Sequence, residues 1–435
     1  MNDEYKYYNK IFDELYPVHR SIAGPGLRKV LKILNKYIKI KVIKIPSGKK
    51  IFDWVVPNEW ELIRGYIKFK NKIIIDGKKN NLSIINGSAP IKKNFDLQEL
   101  KKNIFTHPIL KNAIPYVTSY YKKNWGFCMS ENSKKKLKKG KYFVEIKTKS
   151  KKGFLNYGES KISGKSNKIF LMSSFLCHPS MANNELSGPL TLIGLHKKIK
   201  KWKHRNLNYN FLLNPETIGS IAYINKNLSF LKKKQKVHSG MVLTCMGGSY
   251  DKLSYFKSRH SKSGLDRLVD FFSSKKKYKI FNFNPAEGGD ERQFCSSALN
   301  LPIGRFERNG KGHYKEYHTD HDNKKIMGID KIIDSVESLN TLLKYNDYIF
   351  PIVRYEKYCE LFLSKRLLYP STNSFLETKK KDRDLDHKII ISLLSYADGK
   401  HDYLDITLLF NFPIDRVLEN LKFLINKKLV YLKLK

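Results

Sequence analysis

The sequence predicts an α/β protein built around a doubly wound sheet, and two observations lead to that fold class. Between residues 168 and 345, segments of strand character alternate with segments of helical spacing, which is the order of a sheet with crossover helices. The segment "KIFLMSSFL" is apolar throughout, as in a strand whose two faces are both covered by helices. We therefore expect a central sheet with helices on both sides.

The order of the elements follows from the spacing of apolar residues. Two helices and the strand "IKVIKIPSG" come first, and the second helix has apolar residues at helical spacing at Val30, Leu31, Ile33, Leu34 and Ile38. After "KIFLMSSFL" the predicted order is helix, strand, helix and strand: "GPLTLIGLHKKIKKW", "NYNFLLNP", "GSIAYINKNLSFLKK" and "HSGMVLTCMG".

Changes in sequence texture divide the chain into three predicted domains. Residues 51–147 contain short alternating segments broken by Gly and Asn, which predict a small inserted β-rich domain. Helix and strand alternation resumes afterwards, so residues 1–50 and 148–348 are expected to form one discontinuous α/β domain. Residues 380–435 are predicted to form three helices and a final strand, the order of a winged helix.

The composition limits the partners and the location of the protein. The formal charge is +43, but the lysines are spread over almost every segment, which favours compositional drift over a nucleic-acid surface. Five cysteines without a CxxC pair exclude a recognisable disulfide framework and fit a cytoplasmic location. The N-terminus lacks the layout of a signal peptide, and no run of about 18 apolar residues predicts a membrane span.

Four polar clusters stand out, and several follow predicted strands directly. In doubly wound sheets, ligands bind at the carboxyl ends of the strands, so we expect these clusters to meet there. They are "CHPSMANNELSG" (177–188), "NPETIGS" (214–220), "GGDERQFC" (288–295) and "YHTDHD" (317–322).

Together the clusters predict a metal site. A lone His178 is more often a hydrogen-bonded core histidine, but it is accompanied by Glu185, Glu216, Asp290 and His318. Several buried acids and imidazoles at loop tips would be costly without a cation. Two neutral imidazoles with a carboxylate form the arrangement of a hydrolytic zinc site, and Glu216 would move the proton.

Seven motifs in order over more than 300 residues resemble those of a known family. They are "LYPVHRSIAGPG", "FDWVVPNEW", "AIPYVTSYYKKNWGFCMS", "CHPSMANNELSGP", "PETIGS", "DERQFC" and "EYHTDHD". The family comprises bacterial aminopeptidase-like proteins of the zinc aminopeptidase and glutaminyl-cyclase superfamily, often linked to polysaccharide biosynthesis. The resemblance implies a sheet of zinc-aminopeptidase type, an inserted domain of unknown function and a C-terminal winged helix.

The resemblance also implies roles for individual residues. His178 takes the place of the first metal-binding histidine and His318 that of the last, while Glu216 matches the catalytic general base. Glu185 is our first choice for a carboxylate ligand. Asp290 is the second choice for that ligand, and otherwise a catalytic, amine-binding or supporting group; an ordinary turn would also explain it.

Three positions depart from the two-metal pattern of the superfamily. Asn184 stands where an aspartate usually bridges two metals, and Thr217 stands where a second glutamate binds one of them. Cys245 occupies a strand end where a further acidic ligand is common. The loss of three acidic positions predicts a single zinc ion.

Several residues near these motifs are compatible with two different roles. Arg259 and Arg292 are expected to bind a substrate carboxylate or to pair with local acids. Cys177 is a conceivable nucleophile beside a histidine, but alternation along a strand would point it into the core. Asp320 and Asp322 are candidates for orienting His318.

Segment 115–127, "PYVTSYYKKNWGF", is either a wall of the substrate site or the seam by which the inserted domain docks.

In the winged helix, Asp415 and Glu419 on the third helix argue against DNA binding and favour a protein partner or dimerisation.

The expected function is a mono-zinc aminopeptidase-like hydrolase of an amide bond. Its substrate would be a small molecule, a peptide or an amino-sugar conjugate, with surface polysaccharide biosynthesis as the setting. Two alternatives stay open: a related acyl- or amide-processing enzyme with cyclase-type chemistry, and an inactive scaffold that works through its winged helix.

Overall fold

A computed structural model describes residues 3–233, 236–275, 277–310, 312–366, 368 and 380–434. The ends of two predicted domains, residues 1–2 and 435, lie outside these residues. The chain forms two compact units. The first comprises Met1–Ile162, Ile169–Lys203 and Tyr209–Asn340, and the second comprises Ser163–Lys168, His204–Asn208 and Thr341–Lys435.

The chain begins with two helices and a strand, in the order that the sequence predicts. They are α1 (Asp3–Leu15), α2 (Pro25–Leu34) and β1 (Lys41–Pro46). Pro25 begins α2, where its missing N–H costs nothing and its fixed φ suits a helix. The apolar stripe of α2 is buried, which explains why this segment is helical.

A small β-rich module follows between β1 and the main sheet. Its elements are β2 (Lys50–Ile51), β3 (Trp54–Val55), β4 (Glu59–Phe69), β5 (Lys72–Asp76), β6 (Ile91–Asp96), α3 (Leu97–Lys101), β7 (Ile104–Phe105), β8 (Phe127–Cys128), α4 (Glu131–Lys135) and β9 (Lys141–Lys151). Strands β5, β4, β9 and β6 form an antiparallel sheet in that order. The module has its own apolar core, which includes Ile67, Phe127 and Val144.

The rest of the first unit contains most of the main sheet and its helices. These elements are β10 (Phe154–Ile162), β11 (Ile169–Phe175), α5 (Ser187–Lys200), β12 (Asn208–Asn214), α6 (Ile218–Leu231), β13 (Val237–Leu243), β14 (Leu253–Phe256), α7 (Gly264–Ser274), β15 (Tyr278–Phe281), α8 (Glu291–Phe294), β16 (Ile303–Glu307) and α9 (Ile329–Asn346).

The main sheet is mixed, with eight strands in the order β1-β10-β12-β11-β13-β16-β14-β15. Strands β11, β13 and β16 are parallel neighbours, and β14 runs antiparallel to β16. Every residue of β11 is buried, as expected for a strand covered on both faces. The predicted α/β fold class is therefore confirmed.

The C-terminal elements are β17 (Ile352–Arg354), α10 (Lys380–Ser395), α11 (Tyr403–Phe410), α12 (Ile414–Asn426) and β18 (Val430–Leu432). A capping box at Asp402 begins α11, and α12 buries Val417, Leu418 and Leu421 on one face. The final strand, β18, pairs antiparallel with β17, which precedes the range predicted for this domain. Strand β17 was not predicted from the sequence.

No helix among the described residues has both the length and the apolar character needed to cross a lipid bilayer.

Candidate metal-dependent active site

The first loop of the site follows β11 and contains a π-helical turn. This turn, Ala182–Leu186, is buried throughout and leads directly into α5. Asp322 fixes it from outside, because its two carboxylate oxygens accept the N–H groups of Asn183 and Asn184 at 2.7 and 2.9 Å. The turn sets the directions of Asn184 and Glu185, and π-helical turns are frequent at functional sites.

His178 lies between two sets of groups, one at each ring nitrogen. Glu185 Oε1 accepts the backbone N–H of His178 at 2.8 Å, and Oε2 lies 2.7 Å from Nδ1. The Cys177 thiol is 3.4 Å from the same nitrogen. On the other side of the ring, Nε2 faces Glu216 Oε2 at 3.5 Å. Because the two nitrogens point apart, one ion cannot be shared by both sides.

Arg20 fixes the backbone of His178, a role that was not predicted from the sequence. The Arg20 side chain is fully buried, and its guanidinium donates two hydrogen bonds to the His178 carbonyl at 2.9 and 2.6 Å and one to the Leu15 carbonyl. Asn86 of the inserted module in turn donates to the Arg20 carbonyl at 2.7 Å. The only sequence signal was the position of Arg20 within the first family motif.

His318 lies beside His178, although 140 positions separate them in the chain. The two ring centroids are 5.3 Å apart, and Tyr317 stacks on His318 at 4.0 Å. The Nε2 atom is buried and has no hydrogen-bond partner among the described residues. Burial, and then the charge of His178, lower the pKa of His318 to about 2, so its ring is neutral and has a free lone pair.

The loop after β12 carries Glu216, and Asp290 holds that loop. The two Asp290 oxygens accept hydrogen bonds from Asn214 Nδ2 at 2.9 Å and from the Thr217 N–H at 2.6 Å. Asp290 is fully buried, and burial, followed by the charge of Glu216, raises its pKa to about 7. The structure thus places Asp290 beneath Glu216, with both oxygens already hydrogen-bonded.

Burial also raises the pKa of Glu216, an effect to which Glu185 adds and which His178 opposes. The Glu216 side chain is still 30% exposed, so a substrate can reach it. Burial acts to lower the pKa of His178, but Cys177 and Glu185 beside Nδ1 outweigh it and raise the pKa well above its usual value. A carboxyl group with a raised pKa next to an imidazole is suited to proton transfer.

The backbone around the site is strained. Ser180, Thr217, Cys245 and His318 have φ values of 46°, 62°, 51° and 57°. Such values are uncommon for residues other than glycine, and for a β-branched residue such as Thr217 they mark a genuine outlier. Strain of this kind clusters at binding and catalytic sites, so the four positions support a functional role for this region.

The inserted module contacts the histidine loop through Tyr116 and residues near it in space. The Tyr116 N–H donates to the His318 carbonyl at 2.7 Å, and the Tyr116 ring lies 4.7 Å from that of His178. Asp320 Oδ1 accepts the Ile114 N–H at 2.8 Å, while Asn80 Nδ2 donates to its other oxygen at 3.3 Å. The start of segment 115–127 therefore docks the module against the histidine loop.

A family model described as a domain of unknown function, DUF4910, matches residues 8–348. The chain belongs to this family. A second model, a winged helix-turn-helix, matches residues 351–431. The resemblance and the C-terminal winged helix predicted from the sequence are both confirmed.

Relatives of this DUF4910 protein carry names related to peptidases. A Clostridium acetobutylicum protein is 36% identical over 408 residues, which is 92% of this chain and 90% of that protein. It is provisionally named a polysaccharide biosynthesis protein with an aminopeptidase-like domain. A crystal structure from the same organism, provisionally named a peptidase, is 32% identical with a TM-score of 0.85 and covers 99% of this chain and 97% of that one.

The zinc aminopeptidase BSAP from Bacillus subtilis shares the fold. Its TM-score is 0.56 at 11% identity, over 77% of this chain and 93% of that one. An identity this low speaks for the fold alone. The predicted sheet of zinc-aminopeptidase type is confirmed on this basis.

Two of the three positions that depart from the expected two-metal pattern, Asn184 and Cys245, are neighbours in the DUF4910 chain. Asn184 Nδ2 lies 4.0 Å from the Cys245 sulfur. Asn184 Oδ1 is buried without a hydrogen-bond partner among the described residues. Burial raises the pKa of Cys245 to about 12, so this thiol is protonated at neutral pH.

The two arginines proposed for substrate binding differ in position. Arg292 donates to the backbone of Gly289 and Pro285, and its charge lowers the pKa of Glu216. Arg259 is exposed, and among the described residues no ion pair or hydrogen bond joins its side chain to His178, Glu216 or His318.

Cys177 lies beyond the end of β11 at Phe175, so alternation along the strand does not set the direction of its side chain. Cys177 belongs to the apolar core as expected, yet its sulfur also lies beside His178 and accepts the Glu216 N–H at 3.3 Å. Asp320 and Asp322, which we considered as groups orienting His318, direct their side-chain hydrogen bonds to the inserted module and to the π-helical turn.

The donors at this site fit a zinc ion. At this site, His318 Nε2 and Asn184 Oδ1 are buried atoms that bear lone pairs and have no hydrogen-bond partner among the described residues. The ligand atoms of Cys177, His178 and Glu185 also lie within 4.8 Å of one another, but Cys177 and Glu185 face Nδ1, on the side of the ring opposite Glu216. Buried acceptors without donors are costly, and a cation would satisfy them.

Proposed function

We propose that this protein is a zinc-dependent hydrolase that cleaves an amide bond next to a free amine. The observation that carries the proposal is the pairing of His178 Nε2 with Glu216 Oε2 at 3.5 Å, beside a His318 nitrogen that lacks a partner. The aminopeptidase-like fold supports it. The name of the 36% identical relative supports a peptide or amino-sugar conjugate of polysaccharide biosynthesis as the substrate.

One zinc ion is proposed on the Nε2 side of His178. The nitrogen donors would be His178 and His318, and Asn184 Oδ1 would supply the oxygen. The 5.3 Å between the two ring centroids suits a shared ion, because zinc lies about 2.0–2.1 Å from each imidazole nitrogen. An amide donor bridges two ions poorly, so a second ion is not proposed.

In this proposal Glu185 supports His178 and is not itself a ligand, which differs from our expectation from the sequence. Its oxygens face Nδ1 and the backbone N–H, on the side of the ring opposite Glu216. A carboxylate behind a metal-binding histidine fixes the ring orientation and increases its basicity.

The proposed reaction is the hydrolysis of the C–N bond of an amide. Bound zinc would supply Lewis-acid polarisation of the substrate carbonyl. Glu216 Oε2 takes a proton from the attacking water as the new C–O bond forms, and then gives it to the leaving nitrogen as the C–N bond breaks. Asp290 acts indirectly, because it holds the loop that aims Glu216.

Arg292 is proposed to bind an acidic group of the substrate near Glu216, as a guanidinium binds a carboxylate.

For the winged helix we propose a protein partner or dimerisation. On α12 the exposed Asp415 and Glu419 oppose DNA phosphates, and Arg416 is already paired with Asp386 at 2.6 Å.

Turnover of a panel of aminoacyl p-nitroanilides and aminoacylated amino sugars tests the function. With zinc present, Glu216→Gln should lower kcat by about 10²- to 10⁴-fold while zinc binding is unchanged. Glu287→Gln removes an exposed carboxylate from the same region and should leave kcat unchanged. If the zinc-loaded wild-type protein turns over no member of the panel, or if Glu216→Gln retains kcat, the proposal is contradicted and the inactive scaffold is favoured.

A further inference from the structure

A groove opens beside the candidate active site, on the face where the inserted module meets the N-terminal segment. Its volume is about 520 Å³. It is lined by residues from the segments 21–23, 55–58, 87–90 and 119–123, together with Trp60 and two side chains of β9. The proposed function does not use this groove.

Aromatic rings form much of the lining. Trp60, Tyr120 and Tyr121 face the groove, and Trp54 packs edge-on against Tyr121 with ring centroids 5.6 Å apart. Tyr121 is 54% exposed and Trp54 is 37% exposed, so these rings are accessible to a ligand. Exposed aromatic rings held by a neighbouring ring are preformed surfaces for a flat, partly apolar ligand.

The remaining lining is polar or positively charged. Thr148 and Ser150 place hydroxyl groups along the groove, and the exposed Lys122 and Lys123 add two positive charges. None of the residues described as lining the groove is acidic. A ligand with hydroxyls and negative charges would therefore find partners along its whole length.

We infer that this groove binds an acidic saccharide. The C–H faces of sugar rings pack on aromatic rings, sugar hydroxyls exchange hydrogen bonds with serine and threonine, and uronate or phosphate groups pair with lysine ammonium groups. An apolar peptide would leave the hydroxyls and the two lysines without suitable partners.

The groove is joined to the metal site through two side chains. The Tyr120 hydroxyl lies 3.1 Å from the Tyr116 hydroxyl, and the Tyr116 ring lies 4.7 Å from His178. A saccharide in the groove would thus be held apart from the reacting bond, as a remote part of the substrate. That placement rests on the proposed function, whereas the binding can be measured without any turnover.

Calorimetric titration of the full-length zinc-loaded Glu216→Gln protein with tetragalacturonate, and with neutral maltotetraose as the control sugar, tests the inference. Tetragalacturonate should bind, and Tyr121→Ala should weaken its affinity about fivefold because a ring contact is lost. The double change Lys122→Glu and Lys123→Glu should weaken it about tenfold, a larger effect than that of Lys138→Glu with Lys139→Glu. The second pair makes the same charge change on the same module, away from the groove.

Three outcomes would overturn the inference. They are the absence of tetragalacturonate binding at millimolar concentration, equal binding of maltotetraose, and equal weakening by the two lysine pairs, which would indicate binding to the positive charge of the whole chain. Titration with tripolyphosphate separates general anion binding from saccharide binding, because its affinity should not change in Tyr121→Ala. Saccharide binding by a protein that lacks turnover would contradict the proposed function alone.

Discussion

Glu185 holds His178 by two contacts at once. One carboxylate oxygen accepts the backbone N–H at 2.8 Å, and the other lies 2.7 Å from Nδ1. Both groups are buried, so neither contact is weakened by solvent. The ring is thereby oriented with Nε2 toward Glu216 and the neighbourhood of His318.

Glu185→Gln should weaken zinc binding by about 10- to 100-fold without abolishing it, since a group behind a ligand tunes the affinity. Competition with a chromophoric chelator measures this. The exposed Glu287→Gln is the matched control, with an expected affinity equal to that of the wild type. Complete loss of zinc in Glu185→Gln would instead identify Glu185 as a ligand, as the sequence first suggested.

Asn184→Asp should strengthen zinc binding. The unpartnered Oδ1 would become part of a charged carboxylate. A contact to a charged group is about 1–2 kcal/mol more stabilising than a contact to a neutral one. Without zinc the same charge would be buried and uncompensated, so the variant should be less stable than the wild type. Thermal unfolding of the wild type and of Asn184→Asp, each with zinc and with chelator, measures both effects. A zinc-induced rise in Tm that is equal in the two proteins would contradict the role of Asn184.

Tyr116 should act through its ring and not through its hydroxyl. Its ring contacts both histidines, with centroid distances of 4.7 Å to His178 and 5.5 Å to His318. Tyr116→Ala should lower the free energy of unfolding by about 2–4 kcal/mol and weaken zinc binding. Tyr116→Phe keeps the ring and should bind zinc within about threefold of the wild type. Equal losses in the two variants would show that the hydroxyl matters more.

Glu307 should make the stability depend on pH. Burial raises its pKa to about 7 from an ordinary 4.5, with Arg305 opposing and Glu291 and Glu287 adding to the rise. Between these two pKa values the folded protein keeps a proton on Glu307 that the unfolded chain loses. The contribution of Glu307 to the free energy of unfolding is therefore fully present below pH 4.5, and it is lost as the pH rises to about 7.

Relative to Glu307→Gln, the wild type should lose roughly 1 kcal/mol of unfolding free energy per pH unit between these two pKa values. Urea unfolding at pH 5 and pH 7 measures the difference. Glu99→Gln, at an exposed carboxylate of the inserted module, should show no such trend. A difference between wild type and Glu307→Gln that does not change with pH would contradict the assignment.

The sequence was enough to predict which loops meet. The apolar strand "KIFLMSSFL" required cover on both faces, and strands of this kind place their carboxyl ends at one edge of a sheet. The structure accordingly brings His178, Glu216, Asp290 and His318 together, although 140 positions separate the first from the last.

The directions of the side chains could not be predicted in the same way. Glu185 faces Nδ1 of His178 because it lies in a π-helical turn, and no residue pattern predicts such a turn. Tyr116 and Arg20 approach the site from distant parts of the chain, and hydrophobic periodicity contains no information on such contacts. The aromatic run 115–127 was compatible with two roles until the Tyr116 contact to His318 placed its start at the docking seam.

The zinc content of the purified protein tests the central claim most directly. Elemental analysis after dialysis should find about one zinc per chain in the wild type, and close to none in His178→Ala or in His318→Ala. The exposed His260→Ala is the control and should retain the metal. A wild-type protein without zinc, or either site variant with its full complement, would contradict the account.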